Sequence, residues 1–185
     1  MSHFTCLVAV PPHTTLDDVM LPFHEYECTG IEEYIEFVPE DMEELQKDFE
    51  KHGEEGETIE HFAKDWCDAT PNEDGILGRM TNPNAHWDWF VVGGRWSGYF
   101  HPDNAGPVDE WIPYLRAEDT ENTWEASTYA FIDEEGNWHH KGRMGWWGMT
   151  AEENKDEYNG ENGEFWTFIR NLDPDTHLVL VDCHI

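Results

Sequence analysis

Asn82-Pro-Asn-Ala-His-Trp-Asp-Trp-Phe-Val-Val-Gly-Gly-Arg-Trp-Ser-Gly-Tyr-Phe100 gathers rings, glycines and directional polar groups into one window, and no other window of the chain is as specialised. Asn82-Pro83-Asn84 reads as a turn, because proline presets φ and asparagine tolerates a left-handed backbone. From His86 to Val92 the side chains should alternate across a pleat, with His86, Asp88 and Phe90 on one face and Trp87, Trp89 and Val91 on the other. Gly93-Gly94 lets the chain turn or bulge, and Arg95 to Phe100 resumes a ring-rich extended run. The expected product is a hairpin with an aromatic surface.

Such a hairpin has two readings. In one, tryptophans at period two are sheet core or a rigid packing surface, and Asp88 forms a local ion pair with Arg95. In the other, Trp87, Trp89 and Trp96 sandwich a planar, nucleotide-like ligand while Asn82, Asn84, Asp88 and Arg95 read its edges, as apolar sites with a few convergent polar groups do. Glu25 is counted with this set, because in an extended segment Glu25 and Glu27 share a face.

Outward from the window, His3 to Val10 is an apolar, partly β-branched run stopped by Pro11-Pro12, which fits a buried central strand. Thr15 caps a short turn through Met20, and residues 31–38 read as a strand or an irregular link. Pro39-Glu-Asp opens a helix in the manner of a first-turn proline, with Met42, Leu45 and Phe49 on one stripe and Gly53 at its end. A second helix runs from Thr58 through Ile59, Phe62, Ala63 and Trp66. Residues 67–81 read as a loop and residues 107–117 as a short helix interrupted by Pro113. Residues 128–133 and 138–141 form a second hairpin around Gly136, whereas 142–148 is a glycine-rich loop and 151–164 a polar surface excursion. Phe165 to Leu172 is helical, and Thr176 to Ile185 is a final strand. Strands and helices without a βαβ period predict an α+β fold, a single globular domain over residues 1–185, with an antiparallel or mixed sheet and helices packed mainly on one face.

Five segments carry a resemblance: the opening Met-Ser-His-Phe-Thr5, Leu21-Pro-Phe-His-Glu-Tyr-Glu-Cys-Thr-Gly30, the Asn-Pro-Asn-Ala-x-Trp-Asp-Trp core with Gly-Gly-Arg-Trp, Met144-Gly-Trp-Trp-Gly148, and Val181-Asp-Cys-His-Ile185. Together they resemble a family of small proteins encoded by bacteriophages and prophages, nearly end to end. The resemblance implies a phage-type accessory protein, with counter-defence as one such role, in the cytoplasm of an infected or lysogenic cell. It supplies no activity, cofactor or catalytic residue. Where that family carries lysine before Trp-Asp-Trp this chain has His86, so a metal role for His86 is not a family trait.

The 41 Asp+Glu against 10 Lys+Arg leave a net charge of -31, which excludes naked nucleic acid and anionic membranes as partners, because their phosphates would be repelled. Three explanations of the acid remain: solubility, a DNA mimic that inhibits a basic host nucleic-acid-binding defence protein, and a cation-dependent acidic site. Runs such as Glu40 to Glu44 and Glu54 to Glu60 read first as exposed helical faces. The four cysteines, Cys6, Cys28, Cys67 and Cys183, are widely spaced and read as reduced. No signal peptide or membrane span is expected, so the chain reads as a soluble intracellular protein.

The ends of the chain carry the best chemical clue. Asp182 and His184 share a strand face. If the first strand runs antiparallel beside the last, His3 joins them, and two imidazoles with a carboxylate suit a divalent transition metal. A metal with an open coordination position generates hydroxide at neutral pH, which would make the protein a hydrolase. Parallel pairing would separate the three, and polar strand ends that simply meet solvent are the plainer alternative. Phosphate-binding glycine loops, Gly-x-Ser-x-Gly and His-Glu-x-x-His are absent from the sequence.

Overall fold

The computed structural model describes residues 2–25, 33–100, 111–112, 127–144, 150–151, 155–173 and 175–185. They form an α+β fold with mixed and antiparallel sheets. The chain divides into two compact units, Met1–His24 with His86–Ile185, and an inserted Glu25–Ala85, a subdivision not drawn in the reading of one domain over 1–185. Among the described residues no helix is long and apolar enough to cross a membrane.

The first unit is built on β1 (His3–Val10), whose run of Phe, Cys, Leu and Val is buried on both faces, as a central strand requires. It pairs antiparallel with β11 (His177–His184) along its whole length, from His3↔His184 to Val10↔His177, and parallel with β7 (Ala130–Ile132). On the outer side of β11 lie β5 (Trp89–Val92) and β6 (Trp111–Ile112), and β8 (Trp138–His140) closes the other edge against β7. Gly136, at φ 81, turns β7 into β8 as the second-hairpin reading expects. Trp111–Ile112 is strand, not the helix expected there; the rest of 107–117 lies outside the described residues.

Strand parity sorts this sheet into two faces. Phe4, Cys6, Val8, Val179, Val181 and Cys183 point into one core, against the short α1 (Leu16–Met20) and the Leu21–Phe23 turn. Leu7, Ala9, Phe131, Leu178 and Leu180 point into the other, covered by α4 (Lys155–Asn159) and α5 (Glu164–Asn171) through Tyr158, Phe165, Trp166 and Ile169. Fully burying each such side chain is worth about 1.5–3 kcal/mol. The expected polar excursion at 151–164 therefore contains a helix whose Tyr158 is fully buried. Cys6, Cys67 and Cys183 are free thiols, and burial pushes Cys6 and Cys183 up.

The second unit is a three-stranded antiparallel sheet of β2 (Glu36–Pro39), β4 (Leu77–Thr81) and β3 (Thr70–Pro71), with α2 (Met42–His52) and α3 (Ile59–Cys67). Its core joins Leu45 and Phe49 to Phe62, Ala63, Ala69 and Leu77. Asp41, not Pro39, starts α2: its carboxylate accepts the N–H groups of Glu43 (2.9 Å) and Glu44 (3.2 Å), while Pro39 ends β2. The stretch 67–81, expected as a loop, contributes two strands.

Candidate functional site at the polar end of the sheet

On the α4/α5 face, apolar alternation stops beyond Leu7 and Leu180. The next positions on that face are Thr5, His3, Asp182 and His184, and Thr5, Asp182 and His184 are buried. Buried polar groups are costly unless they are bonded, so this change of character within one strand pair requires partners. Thr5 Oγ accepts the Tyr129 N–H at 2.9 Å. Asp182, 4% exposed, accepts from His3 Nδ1 at 2.9 Å through one oxygen and from the Arg95 backbone N–H at 3.1 Å through the other, with Arg95 Nε at 3.4 Å. His184 Nδ1 lies 2.7 and 2.8 Å from the two oxygens of Asp88, which also accepts the Trp89 N–H at 2.7 Å.

An ionised carboxylate only accepts, so both imidazoles present Nδ1–H to their aspartates, and in the neutral ring this leaves the lone pair on Nε2. His184 Nε2 is buried and finds no hydrogen-bond partner among the described residues. The Trp89 indole stacks on the His184 ring at 4.9 Å and 14°, and stays 43% exposed. His3 meets both rings edge-on, at 5.2 Å from Trp89 and 4.9 Å from His184. The result is a cluster of two largely buried Asp–His pairs with one exposed guanidinium and one exposed aromatic plane.

The antiparallel pairing thus brings His3, Asp182 and His184 to one place. Other parts of the sequence reading change. Residues 82–100 are not a hairpin: Gly93 (φ 66) and Gly94 (φ 51) turn the chain into a 3-10 helix at Gly94–Trp96, and β5 pairs with β11. The chain also bends at Asp88, whose N–H is bound by the His184 carbonyl at 3.0 Å, so Trp87 and Trp89 do not share a face. Trp87 is buried in the core, its indole N–H donating to the Met20 carbonyl at 3.2 Å. Trp96 packs against the α4/α5 core, and its ring N–H finds no partner among the described residues. The three indoles therefore form no sandwich. Arg95 pairs with Asp182 rather than Asp88.

Asn82, Asn84 and Glu25 belong to the second unit. The Asn82 side chain accepts the Asn84 N–H at 3.0 Å, fixing the turn expected there. Asn82 and Glu25 line an open cleft of about 780 Å³ with Asp65, Asp68, Arg79 and Met80. Glu27 lies outside the described residues. Among the described residues, the group of three ligand atoms within 4.8 Å of one another is Glu57, His61 and Asp65, of which the sequence reading has only Glu57, within the acidic run Glu54 to Glu60. His61 and Asp65 are both highly exposed.

His86 stands apart from the cluster, stacked on Trp138 at 4.4 Å and 11°. Burial, with repulsion from His140 added, pushes it from 6.5 down to about 4. The unfolded ring protonates below about pH 6.5 and the folded ring does not, so the stabilisation is present above that pH and is lost as pH falls toward about 4. The melting temperature should drop between about pH 7 and 5, and His86→Phe should flatten that slope. Parallel slopes in the two proteins would refute the assignment.

No protein-family model, curated protein or solved structure matches the chain.

Proposed function

We propose that the protein binds a planar, nucleotide-like small molecule at the polar end of the first unit's sheet. Trp89 is the stacking platform, Arg95 meets the anionic part of the ligand, and the His184–Asp88 and His3–Asp182 pairs supply directional nitrogen. The observation that carries this reading is the coincidence of an exposed indole, a buried imidazole nitrogen without a partner among the described residues, and a guanidinium beside Asp182. A ring with one face on His184 and part of its surface open can accept a second plane, and such stacking is worth about 1–3 kcal/mol per base. Whether the ligand is also cleaved belongs to the same test. The acidic-mimic alternative rests on net charge, which speaks to solubility before partners.

Titration with a panel of nucleotides and cyclic or linear oligonucleotide messengers, read by tryptophan fluorescence and thermal shift, should find a ligand whose response Trp89→Ala abolishes. Chromatography of the same samples reports cleavage. A panel without any response, or a response that survives Trp89→Ala, overturns the reading.

A further inference from the structure

The ligand site has an electrostatic problem. An anionic ligand approaching a chain of net charge -31 needs concentrated positive charge, and the Arg95 guanidinium is already beside the Asp182 carboxylate. We propose that His3 and His184 hold one divalent transition-metal ion through their Nε2 nitrogens, with Asp182 and Asp88 as the carboxylates that orient the two rings. The inference names the cation of the ligand site described above and rests on that site, though not on the ligand being a nucleotide.

Three observations converge. Both imidazoles give Nδ1 to a carboxylate, at 2.9 Å for His3 and 2.7 Å for His184, the arrangement that fixes ring orientation and raises the basicity of a metal-binding Nε2. His184 Nε2 is buried with no partner among the described residues, an unfavourable state for a polar atom that a bound cation would relieve. The ring centres of His3 and His184 are 4.9 Å apart. Two imidazoles sharing a tetrahedral ion, with metal–nitrogen bonds of about 2.1 Å, place their ring centres roughly 5 Å apart.

The ligand set differs from the one expected from sequence. Asp182 has one oxygen on His3 and the other on the Arg95 N–H, so it orients a ligand instead of being one. Asp88 does the same for His184. Two protein nitrogens then leave coordination positions open to water or to a phosphate oxygen or ring nitrogen of the ligand. Neutral imidazole and a borderline cation match: zinc, cobalt or nickel fits this donor set, magnesium and calcium do not.

The full-length chain, stripped with chelator, should be titrated with Co²⁺ and followed by visible absorption, then back-titrated with Zn²⁺. About one equivalent should bind, with a spectrum of low coordination number. His3→Gln and His184→Gln should each weaken binding more than 100-fold, and Asp88→Asn, which keeps the hydrogen bond but not the charge, by about 10–100-fold. His61→Ala should change nothing. Since a core-edge variant can misfold, circular dichroism is recorded for each, and the wild-type rise in melting temperature on adding Co²⁺ gives a readout free of mutation. No binding by the wild type, unchanged binding in both histidine variants, or loss with His61→Ala overturns the proposal. Nucleotide titration in chelator separates the two claims: a Trp89-dependent response without metal leaves the ligand reading standing and the metal unnecessary, whereas metal binding with no nucleotide response does the reverse.

Discussion

Gly94→Ala should be among the most damaging single-methyl additions in the first unit. A Cβ at Gly94 would lie 2.5 Å from Asp182 Cβ and 2.7 Å from its Oδ2, and the backbone sits at φ +51. The left-handed backbone costs an alanine about 1–2 kcal/mol, and overpacking adds about 1–3 kcal/mol. Asp182 is in the sheet next to β1, so it cannot swing away as an exposed side chain would. Relief has to come from moving β11 or the Gly94–Trp96 turn, either of which breaks the Arg95 N–H contact and releases His3. The expected loss is about 2–5 kcal/mol, or roughly 5–15 °C in melting temperature, together with loss of ligand and metal binding. Gly136→Ala is the control, because Gly136 also has positive φ (+81) but nothing lies within 4 Å of its would-be Cβ. It should lose only the backbone cost, about 1–2 kcal/mol. If the two variants melt together, the close approach at Asp182 has no energetic weight.

How much of this could be read in advance depends on how local each signal is. β1 and β11 are legible because continuous buried strands need uninterrupted apolar residues, and few other segments here have them. Helices α2, α3 and α5 announce themselves through spacing, and α3 also through Thr58 at its start, whereas the start of α2 reads from Pro39 and is capped by Asp41. By contrast, Leu77-Gly-Arg-Met-Thr81 has neither alternation nor β-branched density, and it becomes a strand because β2 and β3 bind it from both sides. The Trp-rich window misleads for a related reason. Its extended pattern is genuine in β5, but alternation says nothing about the partner, and β5 pairs with β11, far away in sequence, instead of with the residues that follow Gly94.

The site divides in the same way. Parity alone puts Asp182 and His184 on one face, and antiparallel pairing adds His3, so half of the cluster follows from two strands and a direction. Asp88 is 96 residues from His184, and nothing in either neighbourhood marks the pair. Gly94 reads as an ordinary turn glycine until Asp182 is seen against it. Arg95 looked like the natural partner of Asp88 because they are close in sequence, yet the turn at Gly93-Gly94 aims its N–H and guanidinium at Asp182.

Replacing Trp87 and Trp89 separately should give opposite results, which the hairpin reading, with both rings in one pocket, would not allow. Trp87 is 5% exposed, edge-on to His24 at 4.1 Å and Phe90 at 5.0 Å, with its N–H on the Met20 carbonyl. Trp87→Ala leaves a cavity among Met20, Phe23 and Phe90 and orphans that carbonyl, which together should cost about 3–5 kcal/mol. Trp87→Phe would keep most of the volume and lose the hydrogen bond, so its cost should fall near 1–2 kcal/mol. Trp89 is 43% exposed and loses little more than a stacking contact on His184, so Trp89→Ala should stay within about 1 kcal/mol of the wild type. Ligand titration should reverse the order, with Trp89→Ala silent and Trp87→Phe responding at near wild-type concentration. Urea unfolding of the three variants, followed by titration of those that remain folded, provides both measurements. A stable Trp87→Ala protein that no longer answers the ligand would return Trp87 to the pocket and take the Trp89 platform out of the argument.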